Sequence, residues 1–180
     1  MIIKCTQKLL RQLKVNSETA IEPSDSTSKL GDWYANLLYI ERKKCLLFTN
    51  EKTLFSFFMP CVNKEGFMIL PKLFTATLTA VLQEEKIDDN IINEIISEIG
   101  DIRYGKTSNR SVLGSMNDIA YHYKVRIFDG GGLFYCDLSD IIRRLNRLPM
   151  LTMHSCGIEE LKKIFNIPYD VSRLYSMNGD

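Results

Sequence analysis

The residues best equipped for chemistry are concentrated in Lys106 to Asp118, which reads KTSNRSVLGSMND. On a helix turning about 100° per residue, Val112, Met116, Ile119, Ala120 and Tyr123 share one apolar side, and Arg110, Gly114, Asn117 and Tyr121 align opposite them. Arg110 falls in the first turn, where its guanidinium can join free backbone N–H groups in holding an anion or carboxylate. Gly114 leaves a gap in the polar side. A glycine inside a helix costs about 1 kcal/mol relative to alanine, so its presence points to close approach by a ligand or another backbone. The competing arrangement keeps these groups inside the fold, with Arg110 paired to a carboxylate of the acidic 84–101 region and Asn117 bonded to a neighbouring loop.

Other constellations are weaker. Nucleophilic catalysis would need Cys156 or Ser155 beside His154, or Ser115 with His122, and neither spacing encodes a known elbow or dyad. With 2 histidines in the chain, a histidine-rich metal centre is excluded, and neither a metal nor any other cofactor is expected. The neighbouring carboxylates Glu84, Glu85, Asp88 and Asp89 sit where capping and solvation at a helix junction explain them. Asp129 followed by Gly130, Gly131 and Gly132 lacks the Lys-Ser/Thr of a phosphate loop and reads as a hairpin turn. Arg143, Arg144 and Arg147 share one helix and could contact phosphates, with Lys162 and Lys163 beyond. Residues 106–180 nevertheless hold ten bases against eight acids, a weak excess for binding nucleic acid.

Composition narrows the classes further. In 180 residues, 45% are hydrophobic and 25% charged, and the formal net charge is +1, which argues for a folded chain with no strong overall field. The charge is unevenly placed: residues 1–14 carry four bases and no acid, and residues 59–105 carry four bases and eight acids. A chain of this length buries roughly 70% of its unfolded surface without covalent staples. Cys5, Cys45, Cys61, Cys136 and Cys156 form no C-x-x-C pair, and buried reduced thiols are expected. Lys4, Lys8 and Arg11 interrupt the opening MIIKCTQKLLRQLK, so no secretory segment is expected. No run approaches the roughly 18 apolar residues of a membrane span. A cytoplasmic protein without membrane contact is the expectation.

The elements that must position these residues follow from periodicity. Ile2–Cys5 reads as a strand, and Thr6 caps a helix bearing Leu9, Leu10 and Leu13. Residues 16–32 are polar and predict a mobile loop. Residues 33–40, 45–50 and 54–59 predict a three-stranded antiparallel meander, apolar on both faces apart from Asn36, Thr49 and Ser56, and therefore covered on both sides or on one side plus a partner. Pro71 opens one helix and Asp88 caps another that ends at Gly100. Residues 102–104 predict an edge strand, and a helix starts at Ser108 or Asn109 and ends near Tyr123 or Lys124. After it come a hairpin over 124–136 and short helices over 139–148 and 158–165. The fold class is α+β: a small antiparallel meander sheet flanked by several helices, one domain over 1–180, with 126–180 as a C-terminal extension.

The opening MIIKCTQKLL, the Trp33-Tyr34-Ala35-Asn36 segment with Arg42 and Asn50 downstream, and NRSVLGSMND together resemble an uncharacterised bacterial family, the domain of unknown function 6933, over about residues 1–125. The resemblance implies a small cytoplasmic α+β protein with no established activity, substrate or cofactor, and it transfers no catalytic residue. The expected function is a non-enzymatic interaction or ligand-binding module whose Arg110–Gly114–Asn117 face, with Asp118, Lys106 and Arg42, receives an unknown protein or a small polar ligand. One alternative is a small enzyme acting on a phosphorylated or nucleic-acid substrate, with Arg110 and Lys106 stabilising negative charge and Asn117 or Asp118 orienting a water. The other is a nucleic-acid-associated accessory protein of bacterial defence or mobile elements, built on Arg143, Arg144 and Arg147.

Overall fold

The computed structural model describes residues 1–15, 28–150 and 154–169. The chain opens with strand β1 (Ile2–Cys5) and helix α1 (Gln7–Leu13), then strands β2 (Trp33–Ile40), β3 (Lys43–Asn50) and β4 (Ser56–Met59). A short helix α2 (Lys64–Met68) leads into α3 (Leu70–Glu84) and α4 (Asp89–Ile99), followed by strand β5 (Arg103–Lys106) and the long helix α5 (Arg110–Asp129). Helix α6 (Leu138–Leu145), the two-residue strands β6 (Pro149–Met150) and β7 (Ser155–Cys156), and helix α7 (Gly157–Ile164) complete the described order.

The α+β class holds, but the sheet is mixed and not an antiparallel meander. Its order is β4-β3-β2-β1-β5. β2, β3 and β4 form the expected antiparallel part, and β1 runs parallel to both β2 and β5. Parallel neighbours require a crossover connection. The connection from β1 to β2 carries α1; β5 is reached from β4, at the opposite edge of the sheet, through α2, α3 and α4. β1 is therefore a central strand with all four residues buried.

Both faces of the sheet are covered. On one face Trp33, Phe48 and Phe57 meet Phe74 of α3, with ring centroids 5.4, 5.1 and 5.3 Å from the Phe74 ring. Edge-on and tilted aromatic contacts of this kind contribute about 0.5–1.5 kcal/mol each beyond area burial. On the other face α5 buries Val112, Met116, Ile119, Tyr123 and Ile127, and Tyr123 stacks on Phe58 at 5.2 Å.

Two local expectations are corrected. Residues 124–128 are helical, because α5 continues to Asp129 and Ile127 extends its buried stripe; Leu133 to Cys136 form a turn in place of a strand. The polar stretch 16–32 falls mainly outside the described residues. Its last part is pinned: Leu30 and Asp32 are buried, and Asn50 Nδ2 donates to the Leu30 carbonyl at 2.9 Å.

Candidate functional site

Helix α5 is fastened at both ends. At its start Asn109 caps the helix by accepting from the Ser111 and Val112 backbone N–H groups at 2.9 and 3.3 Å. The Asn109 N–H itself donates to the Tyr34 hydroxyl at 2.9 Å, which ties the cap to β2. At its end the chain turns through Gly130, Gly131 and Gly132, and the Leu133 N–H donates to Glu41 Oε1 at 3.1 Å. Gly132 has φ +101°, and a Cβ there would collide with the Glu41 carboxylate. Gly132 therefore seats the protein's own carboxylate, from the tight turn between β2 and β3.

Beneath α5 a buried polar row crosses the sheet. Lys4, Tyr34, Thr49 and Ser56 stand in register on β1, β2, β3 and β4, all on the helix side. Asn36, two residues after Tyr34, shares that side, so the three polar exceptions of the meander lie on one face. Lys4 Nζ lies 2.6 Å from Glu51 Oε2 and 3.4 Å from Asp32 Oδ2, and Asp32 Oδ1 accepts from the Ile2 N–H at 2.9 Å. Burial pushes the Lys4 ammonium toward losing its proton, but its hydrogen bond to Glu51 and the charges of Glu51 and Asp32 reverse this and hold its pKa above the ordinary value. Lys4 is thus a charged, paired group and not an amine nucleophile. The Tyr123 hydroxyl lies 3.4 Å from Ser56 Oγ, and burial pushes its pKa up, so it stays protonated. Thr49 Oγ1 is buried with no hydrogen-bond partner among the described residues.

Among the described residues nothing covers the outer side of α5. Arg110, Gly114, Asn117, Asp118 and Tyr121 are all exposed, and Arg110 makes no ion pair with a described residue. A Cβ placed at Gly114 would meet no described atom within 4 Å, so the notch is open with respect to the described residues. The stripe continues past the point where the sequence reading ended the helix, through Tyr121 and Val125 to Phe128, which is 82% exposed. There it borders a hollow of about 390 Å³ lined by Tyr39, Ile40, Glu41, Lys124, Val125, Ile127 and Phe128. Phe134 and Tyr135 are exposed just beyond the glycine turn.

Of the residues singled out in the sequence, Arg110, Gly114, Asn117 and Asp118 lie together near the start of α5. Arg42 does not join them: it sits in the β2–β3 turn at φ 62°, beside Glu41 and hence near the far end of α5. Lys106 is in register with Cys5 and by strand alternation shares the sheet side of Trp33, away from α5. On α6, Arg143 and Arg144 each bond Asp140 at 2.5 Å, and the hydrogen bonds from both hold the Asp140 carboxyl below its usual range against the opposing effect of burial. Arg147 is committed to the buried Glu85 by two bonds of 2.8 and 2.6 Å.

Neither nucleophile pairing is assembled. Ser155 and Cys156 are buried while His154 is exposed, and Cys156 Sγ lies 3.5 Å from the Tyr169 hydroxyl. Ser115 and His122 are about 10 Å apart along the helix axis, beyond hydrogen-bond reach. Cys5, Cys45 and Cys156 are buried as expected, but Cys61 is exposed. Among the described residues no group of three His, Cys, Asp or Glu could hold a metal, and no helix is long and apolar enough to cross a membrane.

The sheet, the polar row and the whole of α5 fall within residues 2–160, the span that matches the family model described as a domain of unknown function, DUF6933. The chain belongs to the DUF6933 family. The match extends the resemblance seen over residues 1–125, so the end of α5, its glycine turn and α6 are parts of the DUF6933 domain. No curated protein matches the chain.

The sequence reading missed the Lys4–Asp32–Glu51 cluster. Its signal was present: a lysine within Ile-Ile-Lys-Cys, a strand otherwise apolar on both faces, needs a buried counter-charge.

Proposed function

We propose that this DUF6933 protein is a non-enzymatic interaction module that receives a partner protein along the outer stripe of α5. The observation carrying this reading is the open notch at Gly114. A glycine inside a helix costs about 1 kcal/mol relative to alanine, and no described atom approaches the space its missing side chain leaves, so none of the described residues offsets that cost. Arg110 and Asn117 flank the notch with exposed polar groups that have no side-chain partner among the described residues, and Tyr121 and Phe128 continue it with exposed rings. Arginine and tyrosine are enriched at the energetic centres of protein interfaces. In this reading Arg110 takes a carboxylate of the partner, Asn117 takes a backbone amide, and the rings bury its apolar side chains.

The test uses three variants of the full chain. Arg110→Ala and Asn117→Ala keep the wild-type melting temperature, because both side chains are exposed, and lose a protein captured by wild type through a photo-crosslinker at Tyr121. Gly114→Ala melts higher by roughly 2–4 °C, the shift expected for about 1 kcal/mol in a chain of this size, and captures the same protein less well. Unfolding of the first two variants, or capture unchanged in all three, sinks the reading.

A further inference from the structure

A second surface, on the opposite side of the sheet from α5, has a chemistry of its own. Between α1, the start of β3 and α2 lies a cleft of about 550 Å³, within the size range of small-molecule sites. Its floor is apolar: Val62 and Phe67 are buried there, and the Val62 N–H donates to the Lys44 carbonyl at 2.7 Å, which fixes the floor against β3. Its rim is cationic. Lys14, Lys44 and Lys64 all line it, and no carboxylate does.

Of the three lysines, Lys64 runs against the preference of the element that carries it. Lys14 caps the C-terminal end of α1 at φ 57°, where the helix carbonyls favour a cation, and projects its charge to the rim of the cleft. Lys64 opens α2, where the backbone N–H groups already carry partial positive charge and an acidic residue is the favoured one. Lys44 donates to Gln12 Oε1 at 2.8 Å and sits 5.9 Å from the Phe67 ring centroid, and this holds its ammonium over the floor with donors to spare. Three like charges around one hollow repel one another, and a bound anion relieves that repulsion. Met68, at the lip, is 76% exposed. Its unbranched thioether adapts to flexible apolar chains.

We infer that this cleft binds a small anionic amphiphile, a carboxylate or phosphate head on a linear alkyl chain, with the head among Lys14, Lys44 and Lys64 and the chain against Phe67 and Met68. The inference is independent of the α5 stripe.

The experiment is a titration of the full chain, labelled at methionine methyl groups, with decanoate, decyl phosphate and decan-1-ol below their micelle concentrations. Decanoate or decyl phosphate shifts the Met68 methyl signal saturably at one equivalent, and the stronger of the two identifies the head. Decan-1-ol binds at least about tenfold more weakly, the factor expected for losing one charge-assisted hydrogen bond. The Lys44→Gln/Lys64→Gln double variant loses a similar factor, and Met68→Glu, at an exposed position that does not affect folding, abolishes binding. Equal affinity for the alcohol, shifts confined to methionines other than Met68, or calorimetric binding unchanged in Met68→Glu overturns the inference. So does a response to an acidic peptide with none to either amphiphile.

Discussion

The two faces of the sheet are built on different principles. Towards α3 the contacts are aromatic and dry, with Trp33, Phe48, Phe57 and Phe74 packed ring to ring. Towards α5 they include Lys4, Tyr34, Thr49 and Ser56 in one transverse row. Apolar packing is non-directional and tolerates small shifts. Two members of the row bond toward α5, Tyr34 through the Asn109 N–H and Ser56 through the Tyr123 hydroxyl, and such directional contacts hold in one arrangement, because a buried polar group that loses its partner bears its desolvation cost. The dry face holds the fold together, and the polar face decides where α5 sits. Since α5 displays the outer stripe, the polar row sets the position of the proposed interface.

Breaking the dry face has the largest effect. Phe74→Ala removes a fully buried ring that touches three others, and destabilises by about 4 kcal/mol in denaturant titration. The surviving folded fraction still captures a partner through α5, because the stripe is untouched. A selective loss of capture among folded molecules would contradict the division of labour between the faces.

Breaking the polar face costs slightly less and behaves differently with pH. Lys4→Met leaves Asp32 and Glu51 without their buried cation and destabilises by about 3 kcal/mol. Because the Lys4 pKa is raised in the folded state, its contribution is fully present below the ordinary lysine value of 10.5 and is lost as pH climbs through the folded value. The stability gap between wild type and Lys4→Met therefore shrinks above about pH 10.5, measured as the difference in urea midpoint. A gap that stays constant through that range would remove Lys4 from the account.

The smallest effect runs the other way. Thr49→Val replaces a buried hydroxyl that has no described partner with a methyl group of similar size, and stabilises by about 1 kcal/mol. Destabilisation would show that the hydroxyl is bonded within the row.

Much of this architecture was legible from the chain. The 3.6-residue period of Val112, Met116, Ile119, Ala120 and Tyr123 marked the buried side of α5, and the Asp88 cap marked the start of α4, because both signals are local. The parallel pairing of β1 was not legible. A strand's pattern records which faces are buried, not which neighbour it joins. The run Lys124 to Phe128 misled for a related reason: its valine, isoleucine and phenylalanine favour strands, but Ile127 continues the helical stripe into the core, and tertiary packing overrode local preference. That error hid the aromatic half of the stripe. The Lys4 cluster escaped because its partners, Asp32 and Glu51, lie 28 and 47 residues away. Arg42 and Lys106 were grouped with Arg110 on residue type alone, and the β2–β3 turn and the alternation of β5 place them elsewhere.

The Glu41 carboxylate seated on the glycine turn has a mechanical consequence. With Tyr34 holding one end of α5 and Glu41 the other, the helix behaves as a ruler clamped at both tips, and the span of about 27 Å from Arg110 to Phe128 is fixed before anything docks. A guest whose acidic and apolar groups are offset by one helical turn, about 5 Å, cannot be accommodated by bending the host. For the proposed partner, the turn at Gly132 would thus set a length standard without contacting it.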